Sequence, residues 1–414
     1  MNQPVSPVPP AGKWTLQYPE LGTGPVPHEP NVSPAYFEKE REKLFKRTWL
    51  LLCRDDELPR PGSYVVKQVA VLETSVLLVR GDDGVVRAFH NSCRHRGNKV
   101  VMGGGEKTGE SRGFMCGFHG WTYDLRGRLT HIVDEEDFFG LDKCALGLKP
   151  IHCDTWRGFV FINVMDTPRE TLKEALGEWG RDVEAFPFEA FELVNVYSAT
   201  VRCNWKIGLD AFQEGYHGLT LHGKSAAASA ASSHNPFMHL LHVKLYPQGQ
   251  RRLSLPANLD FVPAPAVQLA VKYACGNVLY AYREGVKRDL AGLNPGGFAD
   301  WSFDINIIFP HVQFLASDSF YVTQHFWPIS VDETYWELRQ YLPVSKSVAG
   351  RIAQQNSQAA LRDVIREDLV TLENTQSVLR SGAISHMQLN DSEIAVRHSY
   401  HKVAEYVDAP DGAV

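Results

Sequence analysis

The chain has 414 residues, 44% hydrophobic and 22% charged, with a formal net charge of −6. A core of that size needs no metal or disulfide staple, and the composition excludes a wholly disordered chain, a collagen-like fibre and a small disulfide scaffold. There is no basic excess to favour nucleic acid and no apolar run of membrane-spanning length, and the odd, scattered set of seven cysteines fits a reducing cytosol.

Length alone suggests about two or three domains. Residues 1–34 hold nine of the 24 prolines, which predicts an arm that lies extended across a surface or is partly disordered. A helix follows from Ser33 to Trp49, with Ser33 as its cap and Pro34 in its first turn. From there to residue 165 the pattern changes to short β segments: Ser63–Gln68, Ser75–Val79, Val85–His90, Gly113–Met115 and Gly158–Val164. Turns such as Gly81-Asp82-Asp83-Gly84 and Arg126-Gly127 separate them, so the stretch reads as a small all-β domain.

Two Cys-His pairs lie inside that domain, Cys93-Arg94-His95 and Cys116-Gly117-Phe118-His119. Each pair ends a predicted strand and opens a turn, so two loop tips can face each other. Four such N/S ligands suit a tetrahedral structural zinc, or a 2Fe–2S cluster with two cysteines on one iron and two histidines on the other. The local chemistry favours the cluster. Gly97, Gly113, Gly117 and Gly120 let backbone N–H groups approach sulfur, and Phe118 and Trp121 offer apolar cover.

Residues 166–414 alternate helices with strands as one α+β domain. Tyr197–Val201, Asn277–Tyr282, Phe303–Phe309, Phe320–Phe326 and Tyr335–Leu342 read as antiparallel strands; residues 205–222, 347–379 and 391–407 read as helices. In the first helix Trp205, Leu209, Phe212, Tyr216 and Leu219 form an apolar stripe, and Asp210, Glu214 and His217 fall on the opposite one. His217 and His222 lie about 140° apart on an ideal helix. They converge on one ion only if the helix bends or ends between them, which Gly218 and Gly223 permit. Two histidines and one carboxylate with open positions form the facial triad of non-haem Fe(II) sites. In the long helix, Leu361, Ile365, Asp368, Leu372 and Leu379 share one apolar face. A carboxylate there is costly unless bound to metal or paired with an arginine, so Asp368 is the best third ligand, ahead of Asp363 and Glu367. The run Ser225–Ser233, almost all alanine and serine, follows directly and reads as a flap.

Cys93-Arg94-His95-Arg96-Gly97 and Cys116-Gly117-Phe118-His119-Gly120-Trp121 resemble the Rieske motif of ring-hydroxylating oxygenase α-subunits, with a longer interval whose extra residues (Gly103 to Arg112) read as a surface insertion. Asn204-Trp205-Lys206 through His222 and Glu367-Asp368-Leu-Val-Thr-Leu-Glu373-Asn-Thr-Gln376 resemble the same family, and the likeness runs from about 40 to 405. One departure is Asp210-Ala211-Phe212 where many members have Glu-Asn-Phe.

The resemblance implies an α+β fold: an arm and helix (1–46) packing on the catalytic domain, a small all-β Rieske domain (47–165), and a larger helix-grip-like antiparallel-sheet catalytic domain (166–414). It implies a Rieske 2Fe–2S cluster on Cys93, His95, Cys116 and His119, and a mononuclear Fe(II) on His217, His222 and Asp368. Glu214 would bridge His217 to a cluster histidine of the neighbouring subunit in a head-to-tail trimer, with or without a β subunit. Partners would be a ferredoxin or an NAD(P)H-dependent reductase, O2 and a small, apolar or aromatic substrate that is hydroxylated or oxidatively demethylated. Arg94 and Arg96 would help the electron donor dock. The substrate pocket is expected from residues 220–330, with Asn306 or Phe309 facing it. A Rieske electron carrier without catalytic iron, or a zinc-stabilised binding protein, are the competing readings.

Overall fold

The computed structural model describes residues 12–273 and 291–410; the expected strand Asn277–Tyr282 and Cys275 lie outside them. Contacts divide the chain into two compact units, residues 41–175, and residues up to 40 together with those from 176 onward.

In the first unit a seven-stranded antiparallel sheet has the order Leu50–Arg54, Phe159–Asn163, Pro150–Trp156, Val86–His90, Thr74–Arg80, Ser63–Val69, Lys107–Glu110. Aliphatic and β-branched runs such as Ser-Val-Leu-Leu-Val explain the central strands, whose side chains are buried. The stretch read as a surface insertion supplies the strand Lys107–Glu110, a mostly exposed edge paired to Ser63–Val66. A second sheet joins Phe114–Met115, Thr122–Tyr123 and Leu129–His131. Val66, Leu77, Val79 and Phe89 from the first sheet share one core with Phe114, Tyr123 and Leu129 from the second, and Cys93, Cys116 and Trp121 are rooted in it.

The other unit is built on a seven-stranded antiparallel sheet in the order Phe191–Val201, Glu333–Pro343, Tyr321–Ser330, Val312–Ala316, Trp301–Ile308, Arg251–Pro256, His242–Leu245. The 33-residue helix Val348–Arg380 buries the expected face: Leu361, Ile365, Asp368, Leu372 and Leu379 are all at most 7% exposed. The last helix spans Ile394–Val407.

Two helical expectations are corrected. The Ser33–Trp49 helix is α-helical only over Pro34–Glu40, with Ser33 Oγ accepting the N–H of Tyr36 at 3.2 Å, and then widens to a π turn at Arg41–Phe45. The 205–222 helix breaks into Trp205–Asp210 and a single turn, Gly218–Leu221. Its two stripes therefore do not persist. Tyr216 is 62% exposed although assigned to the apolar stripe, and Asp210, assigned to the polar one, is half-buried, with its carboxylate accepting from Tyr400 Oη at 2.9 Å.

Candidate active site

The two Cys-His loops close in the same way. Cys93 N–H donates to the carbonyl of Asn98 and Cys116 N–H to that of Trp121, both at 2.8 Å; four residues on, the N–H of Gly97 and of Gly120 returns to the cysteine carbonyl. Gly97 (φ 80°) and Gly120 (φ 74°) take the left-handed backbone this closure needs, which a side chain would strain. The matched turns bring the two cysteines together and the two histidines together. The rings of His95 and His119 lie 4.6 Å apart, and His95 stacks on Trp121 at 5.0 Å. His95 Nδ1 is buried with no hydrogen-bond partner. Tyr123 Oη lies 3.2 Å from Cys93 Sγ, and the backbone N–H groups of Phe118 and His119 point at Cys116 sulfur. Burial pushes the Cys93 thiol up; at Cys116 burial acts the same way but is outweighed by those N–H donors and Cys93, which draw it down. A nitrogen lone pair with no proton to meet, beside two thiols in a shared site with N–H groups at sulfur, fits an N/S-bound metal cluster.

In the larger unit Asn204 starts the helix, its Oδ1 accepting the N–H of Lys206 at 3.1 Å. Asn204 N–H donates to Gln376 Oε1 of the long helix at 2.8 Å. His217 and His222 then flank the single turn Gly218–Leu221 as its two caps. That break is what lets them converge: their Nε2 atoms are 3.2 Å apart, and Asp368 Oδ1 lies 3.5 Å from His217 Nε2 and 3.4 Å from His222 Nε2.

Each outer nitrogen has its own carboxylate. His217 Nδ1 bonds Glu214 Oε1, and His222 Nδ1 bonds Glu367 Oε2 at 2.7 Å. In the neutral rings, with Nδ1–H donated outward, both Nε2 atoms carry lone pairs, and these face each other and a carboxylate oxygen that has no hydrogen-bond partner. Three electron-pair donors in that arrangement repel unless a cation lies among them. Ligands bonded to one ion at about 2.1 Å sit roughly 3.0–3.4 Å apart, and the observed triangle is of that size. Burial alone would lower both imidazoles. At His217 it is outweighed by the Glu214 bond and charge and then Asp368, and at His222 by Asp368 and then Glu367, so both are raised.

The sequence-based reading holds Glu367 to be a weak ligand candidate and assigns no role to Ser225. The structure places Glu367 behind His222, and Ser225 Oγ donates to the same Glu367 oxygen at 2.8 Å. Glu367 adjoins Asp368 and Ser225 follows His222 by three residues, but that adjacency does not say which imidazole the carboxylate meets. Asp363 instead pairs with Arg362 on the surface.

A pocket opens from the three groups. Beyond Glu214, His217, His222 and Asp368 its described lining is largely apolar: Phe212, Met238, Phe303, Ile305, Leu315 and Val322, with Ala226, Ala227 and Ala230 of the alanine-serine run. Phe303 and Ile305 face it, not Asn306 or Phe309. Asn306 Oδ1 accepts from Trp179 Nε1 at 2.9 Å, on the strand's other face, and Phe309 packs on Tyr406. The strand does alternate, with Phe303 and Ile305 on the pocket face, and Phe309 lies past its end at Ile308. Two buried amides, Gln313 and Gln324, also line the pocket and are bonded to each other.

Comparison with known proteins now bears on this geometry. Residues 188–409 match the model of the ring hydroxylating alpha subunit (catalytic domain). The chain belongs to that family. Residues 48–141 match the Rieske [2Fe-2S] domain, so the Cys-His loops fall within it. The large oxygenase component of a naphthalene 1,2-dioxygenase system from Pseudomonas aeruginosa is 33% identical over 221 residues, 51% of this chain and 47% of that protein. The carnitine monooxygenase oxygenase subunit of Escherichia coli (strain K12) is 33% identical over 183 residues, 44% of this chain and 47% of that protein. The chain thus spans about half the length of the curated relatives it matches. A crystal structure of a quaternary ammonium Rieske monooxygenase superposes with TM-score 0.73 at 21% identity, covering 92% of this chain and 95% of that one. A Rhodococcus naphthalene 1,2-dioxygenase bound to indole gives 0.71 at 19% identity, covering 93% and 95%. The likeness in fold therefore runs over almost the whole of both matched chains. No helix of the described residues is long and apolar enough to cross a membrane.

Proposed function

We propose that this α-subunit is the terminal oxygenase of a multicomponent Rieske system and hydroxylates, or oxidatively demethylates, a small aromatic or apolar organic substrate. The observation that carries the reading is the triangle of His217 Nε2, His222 Nε2 and Asp368 Oδ1, each imidazole backed by its own carboxylate. When bound, a Rieske cluster on Cys93, His95, Cys116 and His119 supplies single electrons, and Fe(II) on the triangle supplies the site for dioxygen chemistry.

The chain's own residues do the rest. Glu214 fixes the ring orientation of His217 and keeps its Nε2 lone pair inward. Glu214 also stands as the bridge from His217 to a cluster imidazole of a neighbouring copy in a head-to-tail trimer. The apolar wall of Phe212, Phe303, Ile305, Leu315 and Val322 excludes water and holds the substrate by its hydrocarbon surface. The described lining has carboxylates but no lysine or arginine, which disfavours an anionic substrate. Electrons come from NAD(P)H through a reductase, with or without a ferredoxin.

Iron, zinc and acid-labile sulfide analysis of anaerobically purified protein tests this, with EPR after dithionite. The reading expects about three irons and two sulfides per chain. Two irons and two sulfides that Fe(II) addition fails to raise would favour an electron carrier. Zinc without sulfide would favour a structural-metal binding protein.

A further inference from the structure

We infer that Glu367 is a positioning residue for the mononuclear site, setting the tautomer and ring plane of His222 and tying it to the pocket wall through Ser225. This rests on the proposed iron site. Glu367 Oε2 accepts two hydrogen bonds, from His222 Nδ1 at 2.7 Å and from Ser225 Oγ at 2.8 Å. An imidazole whose Nδ1–H is donated has only Nε2 left as a lone pair, and here Nε2 is the atom facing His217 and Asp368. Glu367 precedes Asp368 on the long helix, so one helix turn provides both a carboxylate of the triangle and the group that aims an imidazole at it. Ser225 opens the run whose Ala226, Ala227 and Ala230 line the pocket. The carboxylate is one-third exposed, so hydration lowers the cost of holding its charge, and its role lies in direction.

The two imidazoles are held differently. Glu214 lies three residues before His217 on the same segment and also accepts the backbone N–H groups of Tyr216 and His217, so it is locally fixed. Glu367 reaches His222 from a separate helix, 145 positions along the chain. A shift of the long helix against the turn Gly218–Leu221 therefore reaches the triangle through His222 as well as through Asp368 itself.

The test uses the cluster-containing protein and Fe(II) alone as probe. Dissociation constants are read by competition with a chromophoric chelator, and the EPR rhombicity of the nitric-oxide-treated Fe(II) protein reports ring orientation. Glu367→Ala is expected to weaken Fe(II) binding about 10–100-fold and to alter the rhombicity, with cluster content unchanged. Glu367→Gln, whose amide oxygen still accepts the imidazole N–H, restores most of the affinity. Ser225→Ala shifts the rhombicity while costing less than about tenfold in affinity. A Glu367→Ala protein that binds Fe(II) within twofold of wild type, with an unchanged signal, overturns the inference. So does equal loss in the Ala and Gln variants. His217→Ala serves as the reference: if it too keeps Fe(II), the iron-site reading has failed, not merely the role of Glu367.

Discussion

At the residue scale, Asp368 is shaped for a ligand and not for stability. It is 2% exposed, its Oδ1 has no hydrogen-bond partner, and no arginine pairs with it among the described residues. A buried carboxylate left so is costly, and removing its charge relieves the cost. Asp368→Asn is thus expected to lose Fe(II) binding, to keep the cluster, and to melt no lower than wild type when both are metal-free at pH 8. Melting several degrees lower would show that Asp368 holds the fold together instead. Glu214 calls for a different readout. Glu214→Gln preserves a hydrogen-bond acceptor for His217 Nδ1 but removes the charge, so both metals should stay while cluster oxidation uncouples from turnover. A normal single-turnover rate of cluster oxidation would remove Glu214 from the bridging role. The choice of Asp368 was open to sequence reasoning because a carboxylate on a leucine-isoleucine stripe is anomalous in itself. The service of Glu367 to His222 was not, since it depends on how the long helix is rotated over a turn 145 positions away.

At the scale of elements, the segment Asn204-Trp205-Lys206 acts as the anchor of the site. Lys206 and Glu40 are both fully buried, with Lys206 Nζ 2.5 Å from Glu40 Oε1, and Trp205 Nε1 donates to Glu40 Oε2 at 3.0 Å. Asn204 Nδ2 donates to the carbonyl of Val331 at 2.6 Å. Three consecutive residues therefore fasten the start of the metal-bearing segment to the N-terminal helix, the long helix and the sheet. Breaking a buried pair leaves one uncompensated charge, so Glu40→Leu alone should cost about 3–5 kcal/mol. Glu40→Leu with Lys206→Met should recover much of that loss, as read by chemical denaturation. A double variant no better than the single would show that the pair is not the source of the cost. The break of the predicted 205–222 helix also belongs here. Periodicity joined two helical pieces because Leu219 and Tyr216 continue the apolar spacing, yet both side chains are exposed. The fold instead stops the helix at Asp210, whose carboxylate bonds Gln213 and Tyr400, and restarts it for one turn. Strands rich in polar residues, such as Arg251–Pro256, escaped reading for a related reason: their charges are spent inside the fold. Arg252 and Ser254 both bond Asp304 on the neighbouring strand.

At the scale of the whole molecule, composition and the two motifs were enough to read an all-β unit followed by an α+β unit, because each motif sits where chemistry, not packing, dictates the residues. Less legible was the buried electrostatics that spans the catalytic unit. Arg251 is fully buried, and burial lowers it to about 9 despite the charge of Asp210 nearby. Burial pushes Asp210 up to about 7, and burial with Arg251 close by pushes His398 down to about 2. These two shifts act on stability with opposite signs. Below the ordinary histidine value the unfolded chain protonates His398 and the folded one does not, so that group's contribution is lost as pH falls. Between the ordinary aspartate value and about 7 the folded chain binds the proton of Asp210 and the unfolded one does not, so that contribution is gained as pH falls. From about pH 4 to 6.5 the two nearly cancel, each worth about 1.4 kcal/mol per pH unit. His398→Gln should therefore leave a protein whose melting temperature, relative to wild type, rises as the pH is lowered from 7 to 5, and Asp210→Asn should do the reverse. Thermal unfolding of both variants beside wild type at half-unit steps decides the matter. Curves that run parallel to wild type would mean that neither group changes its proton occupancy on folding, and the burial that sets both shifts would have to be rejected.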